Sequence, residues 1–188
     1  MLFLTKDRSL AIPLLEGLLK YWPFANCVKE TLFLTELQEV LEVCEVEKVE
    51  PLIHRLFKRI VKCIGGIHLQ VADRAMCFFE NDYFLNILKT YKSQTFPMLV
   101  PVIVDLAENH WHKILQESLI ALKTILKEID PYAFEEALKM NPKERKQYTV
   151  KQDADERKTI DSKWEKLNLK LKNQNPNFVE PKTPFQPS

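Results

Sequence analysis

Glycine is nearly absent, with 3 in 188 residues. Sheet-rich folds place glycine in their many tight turns, and this chain also has few alternating apolar–polar runs, so its pattern argues against a β fold. Cysteines do not pair: Cys27, Cys44, Cys63 and Cys77 stand singly among apolar neighbours, and no Cys-x-x-Cys occurs. That is the setting of buried, reduced thiols in a cytosolic or nuclear protein, not of a disulfide or metal framework. Long hydrophobic runs are missing. Nothing approaches the roughly 20 apolar residues that span a bilayer, and the apolar start Met1-Leu2-Phe3-Leu4 is cut short by Thr5-Lys6-Asp7-Arg8, unlike a signal peptide. There is no glycine-rich phosphate loop and no Gly-x-Ser-x-Gly elbow. The close pair His110 and His112 lacks a third ligand at a usual spacing. These absences point away from an enzyme and imply no cofactor and no metal.

What is present suits a helical domain. Hydrophobic residues make up 46% and charged residues 28%, ordinary for a globular chain long enough to build a core. The net charge of +1 sets up no global field toward nucleic acid or membrane. Its distribution is uneven. Residues 1–138 hold 15 basic and 19 acidic side chains, whereas 139–172 hold 11 and 6. An acidic body carries a basic tail.

Apolar residues recur at spacings of three and four along the body. Asp7 or Ser9 caps a first helix, with Pro13 in its first turn, a stripe of Leu14, Leu15, Leu18, Leu19 and Trp22, and Pro23 at its end. Gly17 inside this helix suggests close packing. A second helix over about 28–44 carries Phe33, Leu37, Val40, Leu41 and Cys44 on one face; Glu36, Glu39, Glu42, Glu45, Glu47 and Glu50 read as its solvated side. Pro51 opens a third helix to Ile64, with Leu52, Leu56, Phe57, Ile60 and Val61 buried. Gly65-Gly66 stops it, with positive φ as the expected means. The chain restarts near His68 with Val71, Ala72, Ala75, Met76, Phe78 and Phe79 inward, and the small Ala72 and Ala75 admit a neighbouring helix. Further helices are predicted over 82–91, from Pro97, from Trp111 to Glu128, and from Asp130-Pro131 to about Leu138.

An echo runs through this pattern. Leu56, Phe57, Ile60 and Val61 recur 43 residues later as Leu99, Val100, Ile103 and Val104, and Val71, Ala75 and Met76 recur as Ile114, Ser118 and Leu119. Two helices repeating every 40–47 residues or so mark HEAT or armadillo units, which stack because no single pair can bury its own face. The fold class expected is all-α: a HEAT/armadillo-like helical-repeat solenoid over 1–140, a charged C-terminal helix over 141–172 and a disordered tail over 173–188. In the charged helix, Ile160, Trp164, Leu167 and Leu171 form a short seam.

Solenoid turns form ridges that meet partners. The candidate binding residues are therefore Gly66 and His68 in one turn, His110, Trp111 and Lys113 in the equivalent turn, and Arg74 in the helix after the first. Trp111 is either a hydrophobic staple on its own repeat or an interface anchor. Arg74 is either a contact residue or an ion pair between repeats.

The run Ile67-His68-Leu69-Gln70-Val71-Ala72-Asp73-Arg74-Ala75-Met76, followed by Glu80-Asn81-Asp82-Tyr83, resembles the B-prime regulatory subunits of protein phosphatase 2A. The likeness continues in Met1-Leu2-Phe3-Leu4-Thr5-Lys6-Asp7, Leu18-Leu19-Lys20-Tyr21-Trp22-Pro23, Lys29-Glu30-Thr31-Leu32-Phe33-Leu34, Leu56-Phe57-Lys58, His110-Trp111 and Trp164-Glu165-Lys166-Leu167. It spans about residues 1–171 and covers the C-terminal part of the family fold. Phe79 stands where the family has Trp, Glu80 and His112 where it has Asn, and Gly65-Gly66 replaces a polar turn. The resemblance implies a HEAT-like, non-catalytic regulatory subunit that binds the phosphatase scaffold and catalytic subunits and acts on phosphoprotein substrates indirectly. The compartment expected from the unpaired thiols is the cytoplasm, with the nucleus as a second site. The family's groove for Leu-x-x-Ile-x-Glu motifs has no counterpart in these residues. Two other readings stay open: a truncated paralogue that recruits nothing, and a helical adaptor that binds nucleic acid through the basic tail.

Overall fold

The computed structural model describes residues 4, 7–24, 26–140, 162, 165, 166 and 168–174. The chain forms two compact units, Met1–Arg145 and Lys146–Ser188. Among the described residues no strand occurs.

Polar caps punctuate the first unit. The Asp7 carboxylate accepts from the Ser9 amide at 2.9 Å and opens a 3-10 turn, Arg8–Leu10, that leads into α1 (Ala11–Lys20). Asn26 accepts from the Lys29 amide at 3.0 Å and starts α2 (Cys27–Val43). Two short helical turns, Val46–Val49 and Glu50–Leu52, the second with Pro51 at its start, lead into α3 (Ile53–Ile64). α4 (Leu69–Met76) runs into a 3-10 turn, Cys77–Glu80. Asn81 caps α5 (Asp82–Thr90) by accepting the amides of Tyr83 and Phe84. α6 (Lys92–Asn109), α7 (Lys113–Ile129) and α8 (Pro131–Lys139) complete the unit. Asp130 caps α8 and also accepts Lys92 Nζ, which ties the start of α6 to that of α8. Each such cap satisfies helix-terminal amides that would otherwise lack partners.

The helices stack in two layers. α1, α3, α6 and α8 follow one another in one layer; α2 and α4 pack side by side in the other. The pairs α1/α2, α3/α4 and α6/α7 close each repeat, and α5 bridges α2 and α6. Four hydrogen bonds set the register between the first two repeats. Arg55 Nη2 donates to the Glu16 carbonyl, Arg74 Nε to Thr35 Oγ1, Asn81 Nδ2 to Glu42 Oε1, and the Tyr83 hydroxyl to the Cys44 carbonyl. Every donor lies 39 residues after its acceptor, so equivalent helices run parallel and one residue step along either layer keeps pace with the other.

Leucine, isoleucine, valine and phenylalanine fill the space between the layers. Phe84 is the hub: it stacks on Phe57 at 4.9 Å between centroids and meets the rings of Phe78 and Phe79 edge-on at 5.1 and 5.3 Å. Aromatic pairs of this geometry each add about 0.5–1.5 kcal/mol beyond the area they bury.

Several sequence expectations change. Gly65 ends α3 as expected, but with φ −81°, and no residue described has positive φ. The second glycine is required for space: a Cβ on Gly66 would stand 3.2 Å from the Cys63 carbonyl oxygen and 3.4 Å from that of Lys62. Gly17 is not a packing glycine, since a Cβ there meets nothing within 4 Å. Leu14 is exposed rather than part of the buried stripe. Pro97 does not open a helix. Both it and Pro101 lie inside α6, where each lacks the amide hydrogen of a ladder bond. Buried Phe96, Leu99, Val100 and Ile103 on the same helix hold it against that loss.

The second half of the echo slips by one residue. α7 buries Leu115, Leu119, Leu122 and Leu126, whereas Ile114 is 71% exposed and Ser118 is exposed. α6 continues to Asn109 and the chain turns through 110–112, compared with 65–68 after α3, so α7 starts 44 residues after α4. One residue is about 100° of helix rotation, enough to carry Ile114 from the seam to the outside.

In the second unit, residues 168–174 are helical, which includes Leu171. Ile160, Trp164 and Leu167 of the expected seam, and the tail from 175 onward, lie outside the described residues.

Candidate partner-binding edge

Parallel stacking brings the turns within the repeats to one edge. The guanidinium of Arg59, in α3, lies over the rings of Trp22 at 5.0 Å and Phe24 at 4.4 Å, in the turn after α1. A Cβ on Gly65 would be 3.8 Å from Leu106 Cδ1, so the ends of α3 and α6 are neighbours as well. Turns 21–26, 65–68 and 110–112 thus follow one another. Each exposes large apolar side chains: Tyr21 by 70% and Phe24 by 65%, Ile67 by 84%, Trp111 by 68%.

The third turn is built on histidine. The His112 ring accepts the Leu115 amide through Nδ1 and so caps α7, while the His112 amide donates to His110 Nδ1 at 3.1 Å. Trp111 is left between them, stacked on His110 at 5.7 Å and edge-on to His112 at 5.3 Å. It is no staple: the position one turn into α7 that a staple would use is Gln116, whose Nε2 donates to the carbonyls of Ala107 and Glu108. Lys113 is exposed at the first position of α7. In the second turn His68 is exposed, and its carbonyl accepts the Val71 and Ala72 amides.

Of the six residues singled out from sequence, five lie on this edge: Gly66, His68, His110, Trp111 and Lys113. Arg74 does not. It is half-buried, its guanidinium lies 5.8 Å from the Phe78 ring centre, and its Nε bonds across to Thr35 of α2. Sequence reasoning missed Tyr21, Phe24, Arg59 and Ile67. The aromatic run Tyr21-Trp22-Pro23-Phe24 was visible as a signal, but nothing local marks which of its rings face out. Arg59 could not be joined to it without the stacking of α3 on α1.

The two edges of the unit differ in charge. Lys20, Lys29, Lys62 and Lys113 are exposed beside the turns just described. Two acids there are engaged: Glu30 Oε1 accepts Trp22 Nε1 at 2.7 Å, and Glu108 pairs with Lys123 at 3.3 Å. Burial lowers the Arg59 pKa, with the nearby Cys63 and Glu30 opposing it, and burial pushes the Cys63 thiol up to about 12. The opposite edge carries Glu42, Glu45, Glu47, Glu50, Glu80 and Asp82, gathered because Asn81 bonds Glu42 and the hydroxyls of Tyr83 and Tyr91 bond the carbonyls of Cys44 and Val46. Burial first, then the charges of Cys44, Glu47 and Glu45, push the Tyr83 hydroxyl up to about 12. Among the described residues, no cluster of three or more His, Cys, Asp or Glu is placed to hold a metal, and no helix is long and apolar enough to cross a membrane.

With that geometry in place, comparison with known proteins is decisive. The family model for "Protein phosphatase 2A regulatory B subunit (B56 family)" matches residues 1–171. The chain belongs to the B56 family. Among B56 relatives, it is 34% identical over 162 residues to the B' beta isoform of the 57 kDa regulatory subunit of serine/threonine protein phosphatase 2A from Arabidopsis thaliana, covering 81% of this chain and 32% of that protein. It is 32% identical over 183 residues to the delta 1 isoform of the 56 kDa regulatory subunit from Schizosaccharomyces pombe, covering 96% of this chain and 33% of that protein. Against the delta isoform of the human 56 kDa regulatory subunit the identity is 28% over 181 residues, covering 95% and 29%. The chain spans about a third of the length of the curated relatives it matches.

Proposed function

We propose that this B56 chain is a non-catalytic regulatory subunit of protein phosphatase 2A. It docks on the scaffold and catalytic subunits through the edge formed by turns 21–26, 65–68 and 110–112. Membership of the family supports the assignment, since its relatives are named phosphatase regulatory subunits. The observation that carries the choice of surface is the exposure of Tyr21, Phe24, Ile67 and Trp111 in successive turns of one edge. Interfaces concentrate their energy in such aromatic and large apolar anchors, surrounded by a polar rim; here the exposed lysines supply that rim. The chain itself performs no chemistry. Holding a phosphoprotein near the phosphatase active site raises its effective concentration there.

The test is direct binding of the purified chain to the scaffold–catalytic core, read by pull-down and by titration. Saturable binding at or below micromolar concentration supports the reading; a folded sample that fails to bind at that concentration overturns it. The place of action is the cytoplasm and the nucleus, which a fluorescent fusion followed together with the phosphatase core would establish.

A further inference from the structure

Among the described residues of the turn edge, Arg59 is a partly buried cation whose hydrogen bonding is unfinished. Of the three arginines described in α3 and α4, Arg55 and Arg74 are both spent on the repeat behind them, through the Glu16 carbonyl and Thr35 Oγ1. Arg59 is different. Among the described residues it makes no hydrogen bond and no ion pair; its guanidinium lies over the rings of Trp22 and Phe24 at the distances already given. Its Nε is sealed from solvent and has no acceptor. Contacts with aromatic rings attract the cation but use none of its five N–H donors.

Glu30 is the nearby acid, and one of its two carboxylate oxygens is taken. Glu30 is close enough for its charge to act on Arg59, yet its Oε1 is held by Trp22 Nε1 at 2.7 Å. The Trp22 ring is in turn braced edge-on by Phe33, at 5.8 Å between centroids. The inner wall of the site is thus rigid and buried. Its outer wall is Phe24, which is largely exposed and belongs to a turn, with Tyr21 exposed beside it.

We propose that Arg59, walled by Trp22 and Phe24, is a socket for an acidic side chain of the protein partner that docks on this edge. With Nε sealed, it is the terminal Nη pair of the fork that receives a carboxylate, through two parallel N–H···O bonds, among the strongest contacts that side chains make at neutral pH. The exposed rings of Tyr21 and Phe24 give the partner's neighbouring apolar residue a place to pack, and exposed Lys20, Lys29 and Lys62 favour an acidic surface on approach. The occupant is therefore a carboxylate-bearing residue next to an apolar one, on the docked phosphatase core. This inference rests on the docking reading above and adds its chemistry.

The experiment measures binding of the purified full chain to the phosphatase scaffold–catalytic core, for wild type, Arg59→Gln, Arg59→Glu, Arg59→Lys and Phe24→Ala, at low and high salt. Melting curves accompany each variant. Arg59→Gln is expected to weaken binding about 10-fold, and Arg59→Glu more, as loss and reversal of a charged contact require. Arg59→Lys falls between, because it keeps the charge and loses the fork. The salt dependence of wild type shrinks in Arg59→Gln. Phe24→Ala, at an exposed turn position, melts like wild type and weakens binding several-fold. Should an arginine variant fail to fold, Phe24→Ala and Arg59→Lys decide the matter. Wild-type binding with every folded variant equal to it overturns the socket and leaves the docking reading standing; no binding by wild type overturns both.

Discussion

Arg74 Nε donates to Thr35 Oγ1 at 3.0 Å, joining α4 to the helix that lies beside it in the preceding repeat. This bond and its three companions at the same separation hold adjacent repeats at one register. Arg74→Ala is expected to lower unfolding free energy by about 1–2 kcal/mol in urea titration, with a coupling to Thr35→Val of about 0.5–1.5 kcal/mol in a double-mutant cycle. A variant with unchanged stability and weakened partner binding would instead place Arg74 at an interface.

The two glycines Gly17 and Gly66 should respond in opposite directions. Gly17 lies in α1 with open space where a Cβ would go, so Gly17→Ala is expected to stabilise by about 0.5–1 kcal/mol through reduced backbone entropy in the unfolded chain. Gly66→Ala pushes a methyl group toward the Cys63 and Lys62 carbonyls and should destabilise. Thermal melting of the two variants side by side checks both signs.

Trp111 is largely exposed, with its ring against those of the flanking histidines. Trp111→Ala should leave the melting temperature nearly unchanged, with a stability effect within about 0.5 kcal/mol. Binding to the phosphatase core should weaken at least 10-fold or so, as for an aromatic anchor. Equal binding by the variant would remove this turn from the docking edge.

Alkaline pH should destabilise the first unit. Cys44 is raised from 9.0 to about 11, Cys63 from 9.0 to about 12 and Tyr83 from 10.0 to about 12, all with burial as the largest cause. Each group holds its proton more tightly folded than unfolded. Its stabilising contribution is therefore complete below the unfolded pKa and is lost as pH rises toward the folded value. Melting temperatures should hold to about pH 9 and fall progressively above it. Cys63→Ala, which deletes one of these groups, should show a shallower fall between pH 9 and 11 or so.

Much of the architecture was legible in the residues. A helix end ahead of Pro23 and another at Gly65, a cap at Asp7, a restart at Asp130-Pro131, and the inward faces of Leu56, Phe57 and Ile60 are local consequences of backbone chemistry and spacing. The 43-residue echo carried the stacked-repeat fold and half of the register. It failed at Ile114 because a helix's rotation depends on how many residues its preceding turn consumes, and periodicity alone is indifferent to a shift of one. Pro97 misled for a related reason: proline usually marks a boundary, yet buried neighbours hold α6 continuous through two of them. On the candidate edge, the positions of His68 and Trp111 could be read from their place in the repeat. Ile67 lies in the same candidate turn as Gly66 and His68 but was not singled out, because spacing alone does not say which side chain of a turn faces out.

The amino-acid order by itself determined that the chain is helical, that its helices come in pairs, and that its turns fall where glycine, proline and capping side chains interrupt an apolar stripe. These are short-range effects, felt within a turn or two of helix. Only the tertiary structure decided what meets across repeats: that Arg74 bonds to Thr35 of the neighbouring repeat, that Arg59 Nε stands beside Trp22 and Phe24 without an acceptor, and that three distant turns share one edge. Those relations depend on parallel stacking with a 39-residue offset between the first two repeats, a collective property of packed layers that no single segment encodes.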